Sequence, residues 1–196
     1  MRGTLKEQKM GVTQMRVGDA DRQFSVTILL VSLFGMLYLA YWVYREIPVA
    51  GWRVAHFLMI YLVAVLLYAN LGVWIHEQLH CLAFRGTALE KRTRISFSRK
   101  YFLALRGHYR VEGVIEYRTI RRALMAPFGL VVALVAMGLI GSLFLPGWWL
   151  PLMLSMAVVG VVDMTHDLYW ISGIHKIGDK GRYWDNGREL LVVWKD

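Results

Sequence analysis

The apolar residues of this 196-residue chain fall in uninterrupted blocks, without the alternation of a half-buried helix or strand. Residues 24–44 carry no formal charge over 21 positions. At about 1.5 Å per residue they cover the roughly 30 Å of a bilayer's hydrocarbon layer. A secretory signal has a shorter apolar core, about 7–15 residues, followed by a small-residue cleavage site, so this block predicts a retained transmembrane helix. A connection containing Pro48 and Gly51 leads to a second apolar run, residues 54–75, interrupted only by His56 and Asn70. Residues 123–162 then hold 40 positions without Asp, Glu, Lys, Arg or His, the length of two spans. Leu145-Pro146-Gly147-Trp148-Trp149 divides them, since Pro and Gly turn the chain and Trp favours the headgroup level. The pattern predicts a membrane α-helical protein with four transmembrane helices, over about residues 24–44, 54–80, 123–145 and 148–172. The last reaches full length only by running through Asp163, Thr165, His166 and Asp167.

Composition agrees: 57% of residues are hydrophobic, against roughly 45–50% in a soluble domain. That excludes a disordered, collagen-like or coiled-coil chain. The net charge of +9 could suit nucleic acid, but its distribution follows membrane topology instead. The 1–23 tail carries 5 Lys and Arg, the 81–122 loop 11 and the 173–196 segment 5, whereas the two opposite connections carry 2 and 0. Such a bias predicts both termini and the long loop on the cytoplasmic side of a cell membrane, with no nucleic-acid partner. The single cysteine, Cys81, excludes an internal disulfide framework and reads as a packing residue.

The 1–23 tail reads as polar with little structure. The 81–122 loop contains runs of β-branched and aromatic residues, among them Thr93-Arg94-Ile95-Ser96-Phe97 and Tyr101-Phe102-Leu103-Ala104-Leu105. With Ser98-Arg99-Lys100 and Arg106-Gly107-His108 read as turns, they predict two or three short strands in a small β-rich loop between the second and third spans. Residues 189–194 could add another strand.

The chemistry sits at the end of the second span, in His76-Glu77-Gln78-Leu79-His80. Residues four apart share a helix face, so in an H-E-x-x-H sequence both imidazoles reach one zinc ion, with the glutamate poised as general base toward water. The bland alternative is a pair of helix-end histidines beside a surface glutamate, but ionisable groups at a membrane helix end call for partners or a function. A catalytic zinc needs a third protein ligand. His76 lies about 33 Å along the second helix from its far end; Asp163 and Asp167 lie roughly 23 and 29 Å along the fourth. Asp167 is closer in height, Asp163 is one turn deeper on the same face, and His166 points about 100° away. Those that do not bind metal would support a ligating imidazole from behind. His56, at the opposite end of its helix, and His108, His175 and Asp179 are not expected to ligate.

The sequence resembles the zincin peptidase family, small multi-pass bacterial membrane proteins carrying H-E-x-x-H. Its order of parts carries the resemblance. The motif closes a transmembrane helix and precedes a strand-bearing loop. Arg121-Arg122-Ala123-Leu124-Met125-Ala126-Pro127 looks like the basic-to-apolar entry to the next helix. His166-Asp167-Leu168-Tyr169 matches a small residue followed by Asp, with His166 in place of the small residue. Tyr183-Trp184-Asp185-Asn186-Gly187 resembles a closing strand. The resemblance implies zinc held by His76, His80 and Asp167, with Glu77 as general base. The site-2 proteases share the logic of an intramembrane H-E-x-x-H and a distant Asp.

These readings make the chain a zinc-dependent metalloprotease acting on a peptide or membrane-protein substrate near the cytoplasmic membrane face. Two other classes compete: a non-catalytic metal-binding membrane protein, such as a sensor or transport accessory, and a scaffold in which the motif is accidental. Glu77 separates the first from the second, because a pure binding site has no use for a carboxylate there. Bound metal separates both from the third. The basic loop is first a topology determinant, with anionic lipid contact as a secondary role.

Overall fold

A computed structural model describes residues 12–15, 35, 50–100, 104–185 and 190–194. The expected first span, residues 24–44, lies outside the described residues except for Gly35. Residues Ala50–Leu67 form helix α1 and Val73–Leu82 form α2, joined without a loop by a π-helical turn over Tyr68–Gly72. Together they make one long apolar helix, Ala55–Leu82, able to cross a membrane. Helices α3 (Tyr117–Met125) and α4 (Phe128–Gly141) follow one another through Ala126 and Pro127 as a second such helix, Tyr117–Gly141. Two helices are therefore long and apolar enough to span.

The expected fourth helix over 148–172 is not continuous. Helix α5 (Trp149–Asp163) ends at Met164 and α6 (Thr165–Ile177) continues at a 47° bend, so the pair is a broken span if it crosses as one. The Thr165 hydroxyl donates to the Val162 carbonyl at the break, offering the backbone a partner other than the helical ladder. The turn expected near Pro146 and Gly147 is present between α4 and α5. There the Trp149 indole lies across Gly141 and donates to the Met137 carbonyl at 2.9 Å.

Strands β2 (Thr93–Lys100) and β3 (Ala104–Val111) form an antiparallel hairpin with Thr93 opposite Val111 and Lys100 opposite Ala104. Two readings of the loop are corrected. Ser98-Arg99-Lys100 completes β2 and Arg106-Gly107-His108 lies within β3, so neither is a turn. Gly107 and the charged residues gave the look of a turn, but cross-strand pairing over eight residues overrides that local signal. A second sheet has the order β1-β5-β4, from Val12–Met15, Leu190–Trp194 and Gly181–Asp185. The strand expected near 189–194 is thus present, and within the 1–23 tail the four-residue strand β1 pairs with β5. Ile115 extends the sheet by exchanging backbone hydrogen bonds with Tyr183 at 2.7 and 3.0 Å.

Two cores result. One, between α1, α4 and α5, packs Ala64, Tyr68, Leu130, Leu134, Met153 and Met156, while Leu58, Leu62, Val132 and Ile140 face outward as lipid-facing groups would. The other lies at the polar end of the helices, where Phe84, Tyr109, Ile120, Leu124, Ile174 and Tyr183 join α2, α3, α6 and both sheets. Tyr68 is almost fully buried in the first core. A β-carbon on Gly72 would fall 2.5 Å from its ring, and one on Gly160 3.0 Å from Cε2. Gly72→Ala should destabilise the protein by about 1–3 kcal/mol, the usual cost of overpacking. In a double-mutant cycle with Tyr68→Ala most of that penalty should vanish, measured by denaturation in detergent.

Candidate metal centre

The last turns of α2 bring His76, Glu77 and His80 inward, and all three are buried. Asp167, in the first turn of α6, approaches from just beyond the bend and is also buried. The three ligand atoms His76 Nε2, His80 Nε2 and Asp167 Oδ2 form a near-equilateral triangle. Its edges are 3.0 Å between the nitrogens, 3.2 Å from His76 to Asp167 and 3.4 Å from His80 to Asp167. Tetrahedral coordination at about 2.0–2.1 Å needs ligand atoms about 3.3–3.4 Å apart, and this triangle lies within a few tenths of an ångström of that. Oδ2 of Asp167 is buried and accepts no well-aligned hydrogen bond, although both imidazoles face it. Lone pairs converging on one point call for a cation. This group could hold a metal ion.

Each imidazole has an oxygen behind it. Nδ1 of His80 donates to the Ala123 carbonyl of α3 at 2.9 Å, leaving Nε2 as the ligating atom. Nδ1 of His76 faces Asp163 Oδ2 at 3.2 Å, and that same oxygen accepts from the Tyr68 hydroxyl at 3.3 Å. Asp163 and Asp167 thus address opposite nitrogens of one ring. A straight helix would put them one turn apart on a single face; the bend at Met164 turns one toward each side. A carboxylate behind a ligating histidine fixes its tautomer and raises its basicity.

The π turn serves the same end. Its Tyr68 carries the hydroxyl that reaches Asp163, and Asn70 Nδ2 donates to the Leu66 carbonyl at 2.8 Å across the widened turn. Such single π turns inside α-helices occur frequently at functional sites.

The hairpin roofs the group. The Tyr109 ring of β3 stacks on His80 with centroids 4.4 Å apart and 26° between planes. Burial, followed by the Asp185 carboxylate of β4, pushes the Tyr109 phenol well above its ordinary pKa, so it stays neutral against the imidazole. Gly107 faces Glu77: a β-carbon at 107 would fall 2.8 Å from Glu77 Cδ and 2.9 Å from Oε1. Glu77 Oε2 is buried without a hydrogen-bond partner.

No protein-family model, curated protein or solved structure matches this chain. The residues themselves carry the chemistry.

The structure brings together His76, Glu77, His80 and Asp167 and sets Asp163 behind His76. His166 is exposed and outside the group, as are His56, His175 and Asp179. Sequence reasoning missed Tyr68, Gly107, Tyr109 and the Ala123 carbonyl. The charge-free run beginning at Ala123 hides a backbone acceptor, and the strand alternation of Gly107 and Tyr109 was obscured by reading residue 107 as part of a turn.

Asp167→Asn should abolish stoichiometric metal in purified protein, measured by elemental analysis. Asp163→Asn should retain the site with affinity lowered about 10–100-fold in a competitive chelator titration. Gly107→Ala should leave metal content intact but cost about 1–3 kcal/mol, because the Glu77 side chain must move aside.

Proposed function

We propose that the chain is a membrane-embedded zinc metallopeptidase that hydrolyses peptide bonds at or near the cytoplasmic membrane face. One observation carries the reading: Glu77, buried with an unpartnered carboxylate oxygen, adjoins a triangle of two imidazole nitrogens and one aspartate oxygen suited to a tetrahedral ion. His76, His80 and Asp167 would hold zinc, which when bound lowers the pKa of water to near 7 and polarises a carbonyl.

Glu77 accepts the proton from the attacking water at Oε2 and returns it to the leaving amine, the double duty of a general acid–base in peptide hydrolysis. The Ala123 carbonyl and Asp163 keep both rings oriented while this charge moves. Tyr109 keeps water from one face of His80. Among the described residues β2 pairs only with β3, leaving its outer edge open for an extended peptide, which would gain main-chain hydrogen bonds there. The excess of Lys and Arg on the tail, the long loop and the C-terminal segment supports the cytoplasmic side.

A second reading, a non-catalytic metal-binding sensor or transport accessory, is favoured by how closely β3 covers Glu77 at Gly107. Glu77→Gln separates the two. It should retain stoichiometric zinc and lower peptide hydrolysis by at least about 10²-fold, the scale of a general acid–base contribution, measured against a peptide library in proteoliposomes. Turnover undiminished in the variant would remove Glu77 from the chemistry. Absence of hydrolysis by the zinc-loaded native protein would favour the binding reading.

A further inference from the structure

Helix α3 has two unlike faces. Ile120, Ala123 and Leu124 are buried against the polar-end core, whereas Arg118, Arg121, Arg122 and Met125 are exposed. The exposed side borders a shallow cleft of about 290 Å³ lined by Tyr117, Arg118, Arg121, Arg122 and Met125. Positions 118, 121, 122 and 125 follow the i, i+3, i+4, i+7 spacing of one helix face, so the three guanidinium groups stand together.

Among the described residues none of these arginines has a carboxylate partner. The neighbouring acid, Glu116, is engaged with Arg182 at 3.2 Å. Three adjacent uncompensated cations repel one another, and an anion that enters the cleft relieves this.

The depth of the cleft identifies the anion. Arg121 stands 20 residues before Gly141, the end of the Tyr117–Gly141 span. That is about 30 Å along the helix, the thickness of the hydrocarbon layer. With the helix across a bilayer, the guanidinium groups lie at headgroup phosphate level and Met125 lies one turn deeper, where acyl chains begin. A binding surface graded from arginine to methionine over one turn matches a phospholipid, polar at its phosphate and apolar immediately below. A soluble phosphate would use the arginines and leave Met125 idle. Nucleic acid would need a basic surface extending away from the bilayer. Topology alone asks for positive charge, and lysine would serve it equally. Arginine's planar fork additionally grips phosphate through paired hydrogen bonds.

We propose that this face of α3 is a binding site for the phosphate of an anionic phospholipid headgroup. The site connects directly to the metal centre. Ala123, one residue beyond Arg122, supplies the carbonyl that orients His80. A lipid gripping Arg121 and Arg122 from outside holds the same turn that supports the histidine from inside. This link rests on the metal-site reading; lipid binding itself does not.

The test uses the full chain in detergent, titrated with phosphatidylglycerol or phosphatidylcholine and read by native mass spectrometry. The native protein should bind phosphatidylglycerol at least about tenfold more tightly. Arg118→Gln/Arg121→Gln/Arg122→Gln should bring the ratio to about one, with metal content and melting temperature unchanged as the check on folding. The corresponding triple Lys variant should retain only part of the preference. Arg94→Gln/Arg110→Gln, on the hairpin, should leave it unchanged. Equal affinity for the two lipids in the native protein, or a preference surviving the triple Gln variant, would overturn the proposal. So would displacement of the lipid by equimolar glycerol phosphate, which would assign the cleft to a soluble anion.

Discussion

An imidazole that must present one nitrogen to a cation has to be held by the other. The two histidines of the candidate centre face different oxygens on that side. His80 uses a backbone carbonyl, fixed by the packing of α3 on α2, while His76 uses the Asp163 carboxylate, itself steadied by Tyr68. Much of the unusual architecture serves these two contacts. The start of the Tyr117–Gly141 helix must lie close enough for the Ala123 carbonyl to reach His80. The α5–α6 pair must bend so that two aspartates four residues apart reach different atoms of one ring. Low-dielectric surroundings make the arrangement demanding, since a buried carboxylate without its partners is costly.

The elements of the site were legible in the sequence where chemistry is local. His76, Glu77 and His80 are spaced by helix geometry alone. Counting residues from the far end of the helices puts Asp167 nearer in height to His76 than Asp163, and Asp167 joins the two imidazoles. That count assumed a straight helix and therefore set Asp163 beneath Asp167 on the same side. The bend at Met164 has no proline and no glycine to announce it; Thr165, hydrogen-bonded to Val162, is its visible local correlate. The hairpin was found as strands but cut in the wrong place, because a glycine among charged residues looks like a turn until its partner strand is known. Its reason for being glycine is Glu77, thirty residues earlier. Tertiary crowding of this sort leaves no periodic trace.

The roof and the outer face of α3 place two unlike environments on either side of the same few residues. Inside, Tyr109 and Gly107 exclude water and confine His80 and Glu77. Outside, exposed arginines stand at the end of a helix long and apolar enough to cross a bilayer. The nine-residue helix α3 carries the arginines on one side and, on the other, the Ala123 carbonyl that meets His80. The exposed arginines and the carbonyl that meets His80 are thus one turn or less apart on the same helix.

The π turn at Tyr68–Gly72 takes up one residue more than an α-helical turn would. Its five residues wind the chain through about the same angle, and over about the same length, as four residues of α-helix. Deleting one residue from this stretch would therefore let the helix close into a regular α-helix with His76 and His80 still facing Asp167. The change would stay local, in the widening that Asn70 Nδ2 spans to reach the Leu66 carbonyl. Among descendants of this chain, a single-residue gap here should leave H-E-x-x-H in register with its aspartate, provided that Tyr68 is kept.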